Sequence, residues 1–270
     1  MAERPVFIPA PESPELVREV FLPLKWHSGF AQVQKEKNIA ALHEAAAARG
    51  LTPLLEISSK SSLKTGRHMS AFHMTVPTKG YGRIKLELAF QGSKVFEHGG
   101  PFADLYQKGD TEIGQAKRDP RLQESGRLTG FCFEGIEFPL EPKTAFYDWL
   151  YCSFLWEHRE WATSLYKYAG FTDVEFNPHR SINCQARSAA LFLSLMKRGD
   201  LEHAIHSPDE FIQTLLLSRY RPHFASTTSR RKACSSRVDS AFDAQTDRSG
   251  WCKGFFPRWR QTLQALGGVA

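Results

Sequence analysis

The sequence predicts an α+β protein, with mostly helices and a few short strands in one domain. An alanine-rich run over residues 32–49, followed directly by Gly50, predicts a helix. The short apolar run over residues 54–58 predicts a buried strand. Residues 128–140 carry apolar side chains on either side of Gly135, which predicts a β-hairpin. The chain has 270 residues, of which 41% are hydrophobic, and is long enough to bury one large core.

Composition divides the chain into three parts. Residues 1–20 contain four prolines and little periodicity, so we expect an extended lead-in. Residues 21–220 carry the predicted elements and every candidate site residue. Residues 221–270 form a basic tail with nine Lys or Arg and three Asp, which accounts for the whole net charge of +6. The tail is either a flexible arm that adds affinity for nucleic acid, a satellite helix, or a segment without function.

The sequence lacks the marks of membrane insertion and of metal binding. No apolar run reaches the roughly 18 to 20 residues needed to span a bilayer, and the N-terminus has no long apolar segment of the signal-peptide type. We therefore expect a cytoplasmic protein without a membrane partner. The five cysteines are widely spaced without a Cys-x-x-Cys pair, so we expect buried thiols and assign no metal and no cofactor.

Residues 87–96 carry the main candidate for a site. If this stretch is helical, Glu87, Gln91 and Lys94 fall at i, i+4 and i+7 and share one face. The turn Gly99-Gly100-Pro101 would follow the helix, because Gly favours a left-handed terminus and Pro cannot continue a helix. A polar stripe with this spacing is more often a solvated surface than a site, so spacing alone assigns no function.

Two further features bear on a site. The loop over residues 58–62 places serine hydroxyls around Lys60, and Phe72 follows it. Loops of this kind bind phosphate when their backbone amides converge, although most are simply solvated turns. Asp148 stands among the aromatic residues of a predicted buried helix pair over residues 142–161, so its carboxylate needs a partner or a function if it is buried.

Three phrases of the sequence resemble one protein family. The pattern Glu-x-x-Phe-Gln-x-x-Lys-x-Phe, which begins at Glu87, resembles the core motif of the NADAR (YbiA-like) superfamily. The phrase Asn-Pro-x-x-Ser-Ile-Asn-Cys-Gln-Ala, which begins at Asn177, and the segment from Trp26 resemble the branch encoded beside DarT-type toxins. The pair Asp148-Trp149 is similar to an Asp-Trp pair of general NADAR sequences. The resemblance covers roughly residues 20–220.

The resemblance implies a fold and an activity. NADAR proteins have a mostly helical α+β fold and act on N-glycosidic bonds of ADP-ribosylated or related nucleotides. The DarT-associated branch removes ADP-ribose from guanine bases of DNA and so acts as an antitoxin. The implied partners are ADP-ribosylated DNA as substrate, ADP-ribose as product and a DarT-type toxin. Two alternatives stay open, namely a YbiA-type hydrolase of a small N-ribosyl metabolite and a non-catalytic binder of ADP-ribose or toxin.

The resemblance also implies the site residues. Glu87 is expected to stabilise positive charge on the sugar or to activate water, and Asp148 is the second candidate acid. Lys94 is compatible with three roles, as a phosphate clamp, a proton donor or a Schiff-base nucleophile. Lys60 is the residue expected at a pyrophosphate. The full set of expected ligand-binding residues is Ser59, Lys60, Ser61, Phe72, Gln91, Gly99, Gly100, Trp149, Asn177, Asn183 and Gln185.

Overall fold

Helices and three small β-sheets make up the described protein, which confirms the α+β prediction. The computed structural model describes residues 2–109 and 112–220. The predictions for the basic tail over residues 221–270 lie outside these residues. Residues 1–220 form one compact unit.

The main sheet has four strands in the order β2-β1-β9-β3. Its strands are β1 (Ala2–Pro9), β2 (Val17–Leu24), β3 (Leu54–Glu56) and β9 (Gly170–Thr172). The extended lead-in predicted for residues 1–20 is therefore a strand, a turn and the start of a second strand, all built into the domain. The sheet tolerates Pro5 and Pro9 because β1 pairs with β9 only at Phe7 opposite Phe171.

The helices surround the sheets and bury most of the core. Among residues 2–109 and 112–220, no helix is both long and apolar enough to cross a membrane. The α-helices are α1 (Gln32–Ala47), α2 (Lys64–His68), α3 (Leu86–Gly92), α4 (Ile113–Ala116), α5 (Arg121–Glu124), α6 (Ala145–Glu157), α7 (Arg159–Ala162), α8 (Gln185–Arg198), α9 (Leu201–Ala204) and α10 (Pro208–Tyr220). Within the described part of the chain, 3-10 helices span Ala103–Gln107 and Thr163–Lys167.

Two smaller sheets flank α3. The first is the hairpin of β4 (Thr75–Thr78) and β5 (Gly82–Lys85), and the second has the order β6-β7-β8. Its strands are β6 (Lys94–Phe96), β7 (Leu128–Phe133) and β8 (Ile136–Phe138). The predicted hairpin over residues 128–140 is confirmed. Its two turn residues, Glu134 and Gly135, have φ values of 55° and 81°, as in a type I′ turn.

The aromatic run near residue 150 forms the buried helix α6, followed by the short α7. Phe146 contacts Phe131 of β7 and Phe138 of β8, each with 4.8 Å between ring centroids. These rings attach the three-stranded sheet to the helical layer. They also place α6 beside α3, because Phe146 stacks on Phe90 at 6.1 Å.

The helix predicted from Glu87 to Phe96 is shorter than expected. It ends at Gly92, since Lys94–Phe96 pairs with β7 as strand β6. All seven residues of α3 are buried, and a side chain at position 92 would overlap the ring of Tyr106. Lys94 is therefore presented by a strand, and the assumption that it shares a helical face with Glu87 was wrong.

Candidate active site

The centre of the candidate site is a chain of three polar side chains. Glu87 and Gln91 lie one turn apart on α3, and Gln91 Nε2 donates a hydrogen bond to Glu87 Oε1 at 2.9 Å. Lys94 Nζ donates to Gln91 Oε1 at 2.7 Å. Glu87 and Gln91 are each only 6% exposed. One amide therefore bridges a buried carboxylate and an amine, although they come from different elements.

A second amine approaches the carboxylate from the end of α4. Lys117 Nζ lies 3.2 Å from Glu87 Oε1. Ile113 and Ala116 hold α4 in place by packing in one apolar cluster with Leu88 of α3. Among the described residues, the contacts of the Glu87 carboxylate fall on Oε1, so Oε2 keeps its acceptor capacity for water or substrate.

The surroundings of Lys94 make its ammonium a stronger acid than that of an exposed lysine. Burial lowers the pKa of the Lys94 ammonium below its usual value, and the charge of Lys117 lowers it further, while Glu87 acts in the opposite direction. Lys94 Nζ also lies 5.1 Å from the ring centroid of Phe90. A lowered pKa increases the fraction of neutral amine near neutral pH, and the neutral amine is the nucleophilic form.

Aromatic rings border this cluster. Tyr147 of α6 packs edge-on against Phe90 with 5.3 Å between ring centroids. Burial, and after it the charge of Glu87, raises the pKa of the Tyr147 phenol well above its usual value. The phenol therefore stays protonated and can donate a hydrogen bond. Phe72, predicted as a wall, is half-buried, and Lys117 Nζ lies 5.5 Å from its ring centroid.

The serine-rich loop is anchored by buried contacts. Ser61 is 3% exposed, and a side chain in place of Gly66 would overlap its hydroxyl. Ser59 Oγ donates to Glu175 Oε2 at 3.1 Å, which ties the loop to the segment after β9. Lys60 lies between these two anchors and is half-buried. The loop is thus held by its serines, while Lys60 is its only cation.

A second group of buried carboxylates lies beside this loop. Glu56 and Asp173 are 3% and 8% exposed. Glu56 accepts hydrogen bonds from the Thr172 hydroxyl at 2.6 Å and from the Val174 amide at 2.8 Å. Burial raises the pKa of both carboxyls, and the charge of Glu56 adds to the shift at Asp173. This pair is separate from the hydrogen-bond chain that contains Glu87.

Gln185, predicted to bind ligand, has both ends of its amide engaged inside the protein. Its Nε2 donates to Asp173 Oδ2 at 3.0 Å, and its Oε1 accepts from the Ala71 amide at 2.8 Å. The carbonyl oxygen of Ala71 in turn accepts from the Glu87 amide at 3.4 Å. Gln185 therefore positions the backbone next to Glu87, and its own amide is not left for a ligand.

Asp148, predicted as the second candidate acid, joins α6 to α8. It is 2% exposed, and its Oδ1 accepts from Ser188 Oγ at 2.5 Å. Its Oδ2 accepts from Arg187 Nη1 at 3.1 Å, and Arg187 also pairs with Glu19 of β2. The structure thus gives both oxygens of Asp148 partners away from the hydrogen-bond chain of Glu87.

Three other predicted ligand residues lie outside that chain. Trp149 is 3% exposed and packs against Phe138 with 5.2 Å between ring centroids. Asn177 Oδ1 accepts from the His179 amide at 3.0 Å and so closes a turn. Within the described residues, Trp149 Nε1 and Asn183 Oδ1 are buried without a hydrogen-bond partner. A ligand or a water molecule beside either atom would satisfy it.

The two glycines predicted to bind ligand, Gly99 and Gly100, instead shape the backbone next to Lys94. The carbonyl of Gly99 accepts from the Phe96 amide at 2.7 Å, which closes a turn after β6. Gly100 has a φ of +93°, and a side chain there would overlap the carbonyl oxygen of Lys94. Both glycines thus allow the chain to turn closely behind the strand that presents Lys94.

A comparison with protein families identifies the family of the chain. The family model described as "DarT1-associated NADAR antitoxin" matches residues 2–223. The chain belongs to this antitoxin family. The match confirms the resemblance carried by the phrases at Glu87 and Asn177, and it includes the N-terminal hairpin. No curated protein matches the sequence.

Two residues of this NADAR antitoxin lie at the Glu87 cluster although no pattern in the sequence predicted them there. Lys117 lies in a charged segment that reads as surface helix and loop, and only the packing of α4 on α3 brings it to Glu87. Tyr147 stands in a run of aromatic residues that all favour a buried helix. Nothing in the local pattern of this run distinguishes Tyr147 from its aromatic neighbours.

Proposed function

We propose that this NADAR antitoxin is a hydrolase that removes ADP-ribose from guanine bases of DNA. One observation carries the proposal, namely that the Gln91 amide bridges the buried Glu87 carboxylate and the Lys94 amine. An acid and an amine held this way suit attack at the anomeric carbon of a ribose with transfer of a proton to the leaving base. The family description, an antitoxin associated with DarT1, supports the same substrate class.

Of the three roles open to Lys94, the structure favours the nucleophile. The lowered pKa supplies neutral amine, and a clamp for phosphate would work better with a fully charged, solvated group. The half-buried Lys60 in the serine-rich loop is the better candidate for the pyrophosphate. Ser59, Ser61 and Phe72 would complete the contacts around it.

The proposed reaction begins with opening of the ribose ring, which leaves an imine between C1 and the exocyclic nitrogen of guanine. Lys94 Nζ adds to C1, and Glu87 relays a first proton from Nζ to the guanine nitrogen, which gives a neutral aminal. Glu87 then relays the second Nζ proton to the same nitrogen as its bond to C1 breaks, and guanine leaves with its amino group. The product is an imine between C1 and Lys94.

Water completes the cycle. It adds to C1 of the lysine imine, Glu87 relays both water protons in turn to Lys94 Nζ, and the bond from C1 to Nζ breaks as C1 becomes an aldehyde. Ribose closes again, and ADP-ribose and the free amine are released. The net reaction consumes one water molecule and no cofactor. Gln91 keeps the acid and the amine at a fixed separation throughout, and Lys117 holds the Glu87 anion in place.

The test is a single-turnover assay with DNA carrying ADP-ribosylated guanine, run with and without sodium borohydride. Reduction of the imine should stop turnover and add the mass of a reduced ADP-ribosyl group to the peptide that contains Lys94. Release of ADP-ribose without any trapped adduct would contradict the covalent step. Cleavage of a small N-ribosyl metabolite but not of modified guanine would contradict the substrate, and binding without cleavage would contradict hydrolysis.

A further inference from the structure

A cleft beside α3 has no role in the proposed reaction. It has a volume of about 240 Å³ and lies between the β4–β5 hairpin and the 3-10 helix over Ala103–Gln107. Leu88 of α3 forms part of its wall and directly follows Glu87 in the chain. Successive residues of an α-helix project about 100° apart. The cleft and the Glu87 cluster therefore lie on adjacent faces of one short helix.

Cations stand on both sides of this cleft. Arg83 and Lys85 belong to β5, and Lys108 follows the 3-10 helix on the facing side. No acidic side chain is found among the described residues that line the cleft. The hairpin segment over residues 75–85 contains three basic residues and no acidic one. The described side chains that line the cleft thus carry three positive charges and no negative charge.

Arg83 and Lys108 contact acidic side chains outside the cleft. Arg83 Nη1 lies 3.2 Å from Glu157 Oε1, and Arg83 also donates to Thr75. Lys108 Nζ lies 4.0 Å from Glu112 Oε1. Arg83 is therefore fixed in place as part of the wall. The pair at Lys108 is long and solvated, and such pairs contribute little and exchange readily for another anion.

An exposed ring stands at the mouth of the cleft. Tyr81 lies in the turn of the β4–β5 hairpin and is 39% exposed. It contacts Tyr106 edge-to-face with 5.5 Å between ring centroids, and the Tyr106 hydroxyl is hydrogen-bonded to Ser93 Oγ at 2.8 Å. The buried Tyr106 thus supports Tyr81, whose exposed side offers a surface on which a base can stack.

The chemistry of the cleft fits a nucleic-acid strand better than a second ADP-ribose. Pockets for whole drug-sized ligands have volumes of roughly 300–1,000 Å³, so this cleft is too small for a complete dinucleotide. Cations on two sides with one stacking ring are the features by which proteins bind single strands. We propose that the cleft binds single-stranded DNA next to the modified guanine, with Lys85 and Lys108 at phosphates and Tyr81 stacked on a base.

The position of the guanine in this proposal rests on the proposed function, but binding of the strand needs no catalysis. The test therefore starts with fluorescence anisotropy of a labelled, unmodified single-stranded oligodeoxynucleotide and the full chain. The variants are Tyr81→Ala and the double variant Lys85→Ala with Lys108→Ala. Their matched controls are Tyr81→Phe, which keeps the ring, and Lys37→Ala with Lys143→Ala, which remove two exposed lysines elsewhere.

The double variant should weaken binding at low salt, and the slope of log K against log salt should fall by about 0.7 for each lysine lost. Tyr81→Ala should weaken binding roughly fivefold or more, since stacking contributes about 1–3 kcal/mol per base. Tyr81→Phe and the control lysine pair should bind as the wild type does. On DNA carrying ADP-ribosylated guanine, both cleft variants should raise KM and leave kcat unchanged.

The same variants should cleave ADP-ribosylated guanosine, which lacks a strand, at the wild-type rate. If the wild type fails to cleave either substrate, the proposed function is wrong, and the anisotropy still decides the cleft. If cleavage occurs but the cleft variants bind the oligonucleotide as tightly as the wild type, the cleft proposal alone is wrong. Tighter binding of an RNA strand or of duplex DNA than of single-stranded DNA would also overturn it.

Discussion

Two groups of buried carboxylates in this antitoxin differ in the charge of the groups that surround them. The Glu87 carboxylate lies 3.2 Å from Lys117 Nζ, and the Gln91 side-chain amide links it to Lys94 Nζ. Glu56 and Asp173 instead lie close to each other and accept from neutral hydroxyl and amide donors. The first group carries paired opposite charges, and the second would carry two like charges if both carboxyls were ionised.

The difference in surroundings suits Glu87 to proton transfer and suits Glu56 and Asp173 to a structural role. A carboxylate beside two amines can pass protons without leaving a net charge in the site. Burial raises the pKa values of the two carboxyls in the second group, and their oxygens accept hydrogen bonds from neighbouring segments of the fold. We infer that the Glu56–Asp173 pair joins β3 to the segment after β9, while Glu87 reacts.

The largest expected effect comes from Lys94→Arg. Arginine keeps the positive charge but cannot form the imine, so kcat should fall by a factor on the order of a thousand. Binding of ADP-ribose, measured by calorimetry, should change little. A rate within tenfold of the wild type would show that Lys94 acts only through its charge. Lys94 and Lys117 would then serve only as counterions of the Glu87 carboxylate.

Lys117→Met should have a smaller effect and a distinct pH dependence. The charge of Lys117 lowers the pKa of Lys94, so its removal raises that pKa and reduces the neutral amine at a given pH. The rate near neutral pH should fall severalfold, and the rising limb of the pH–rate profile should move to higher pH. Lys117→Arg keeps the charge and should leave the limb in place, and a profile unchanged in Lys117→Met would contradict this role.

Asp148→Asn should affect stability more than turnover. The amide would leave Arg187 without its buried anion, so the free energy of unfolding should fall by about 1–3 kcal/mol. The rate of the folded variant should stay close to that of the wild type. A large loss of rate with unchanged stability, measured by chemical denaturation, would return Asp148 to the list of catalytic acids.

Glu56→Gln should have the smallest effect on the rate and should stabilise the protein at higher pH. The pKa of Glu56 in the folded protein is raised above the usual 4.5. Protonated Glu56 therefore contributes stability at pH values below 4.5, and this contribution is lost as the pH rises through the pKa of the folded protein. The variant has no proton to lose there. Its free energy of unfolding relative to the wild type should therefore increase as the pH rises above the usual 4.5, and a decrease would contradict the raised pKa.

Local patterns predicted much of the fold. The alanine-rich helix, the buried strand at residues 54–56 and the hairpin with Gly135 follow from periodicity and turn chemistry, and the structure confirms them. The N-terminal strands were missed because four prolines suggest an irregular segment, and only pairing over eight residues reveals the sheet. The length of α3 was overestimated because the strand that follows it depends on a distant partner, β7.

The site was predictable only in part, for the same reason. Glu87, Gln91 and Lys94 lie close together in the sequence, and a motif can name them. Lys117 comes from another element, and no spacing connects it to Glu87. Gln185 fits the motif of the family, but its burial between Asp173 and Ala71 depends on tertiary packing.

The most direct test compares two substitutions of the same kind at two buried glutamates. Single-turnover release of ADP-ribose from DNA with ADP-ribosylated guanine is measured for Glu87→Gln and for Glu56→Gln, with circular dichroism to confirm folding. Glu87→Gln should reduce the rate by a factor on the order of a hundred or more, because the group that stabilises and transfers charge is lost. Glu56→Gln should retain the wild-type rate. A folded Glu87→Gln variant that releases ADP-ribose as fast as the wild type would contradict the assignment of this site.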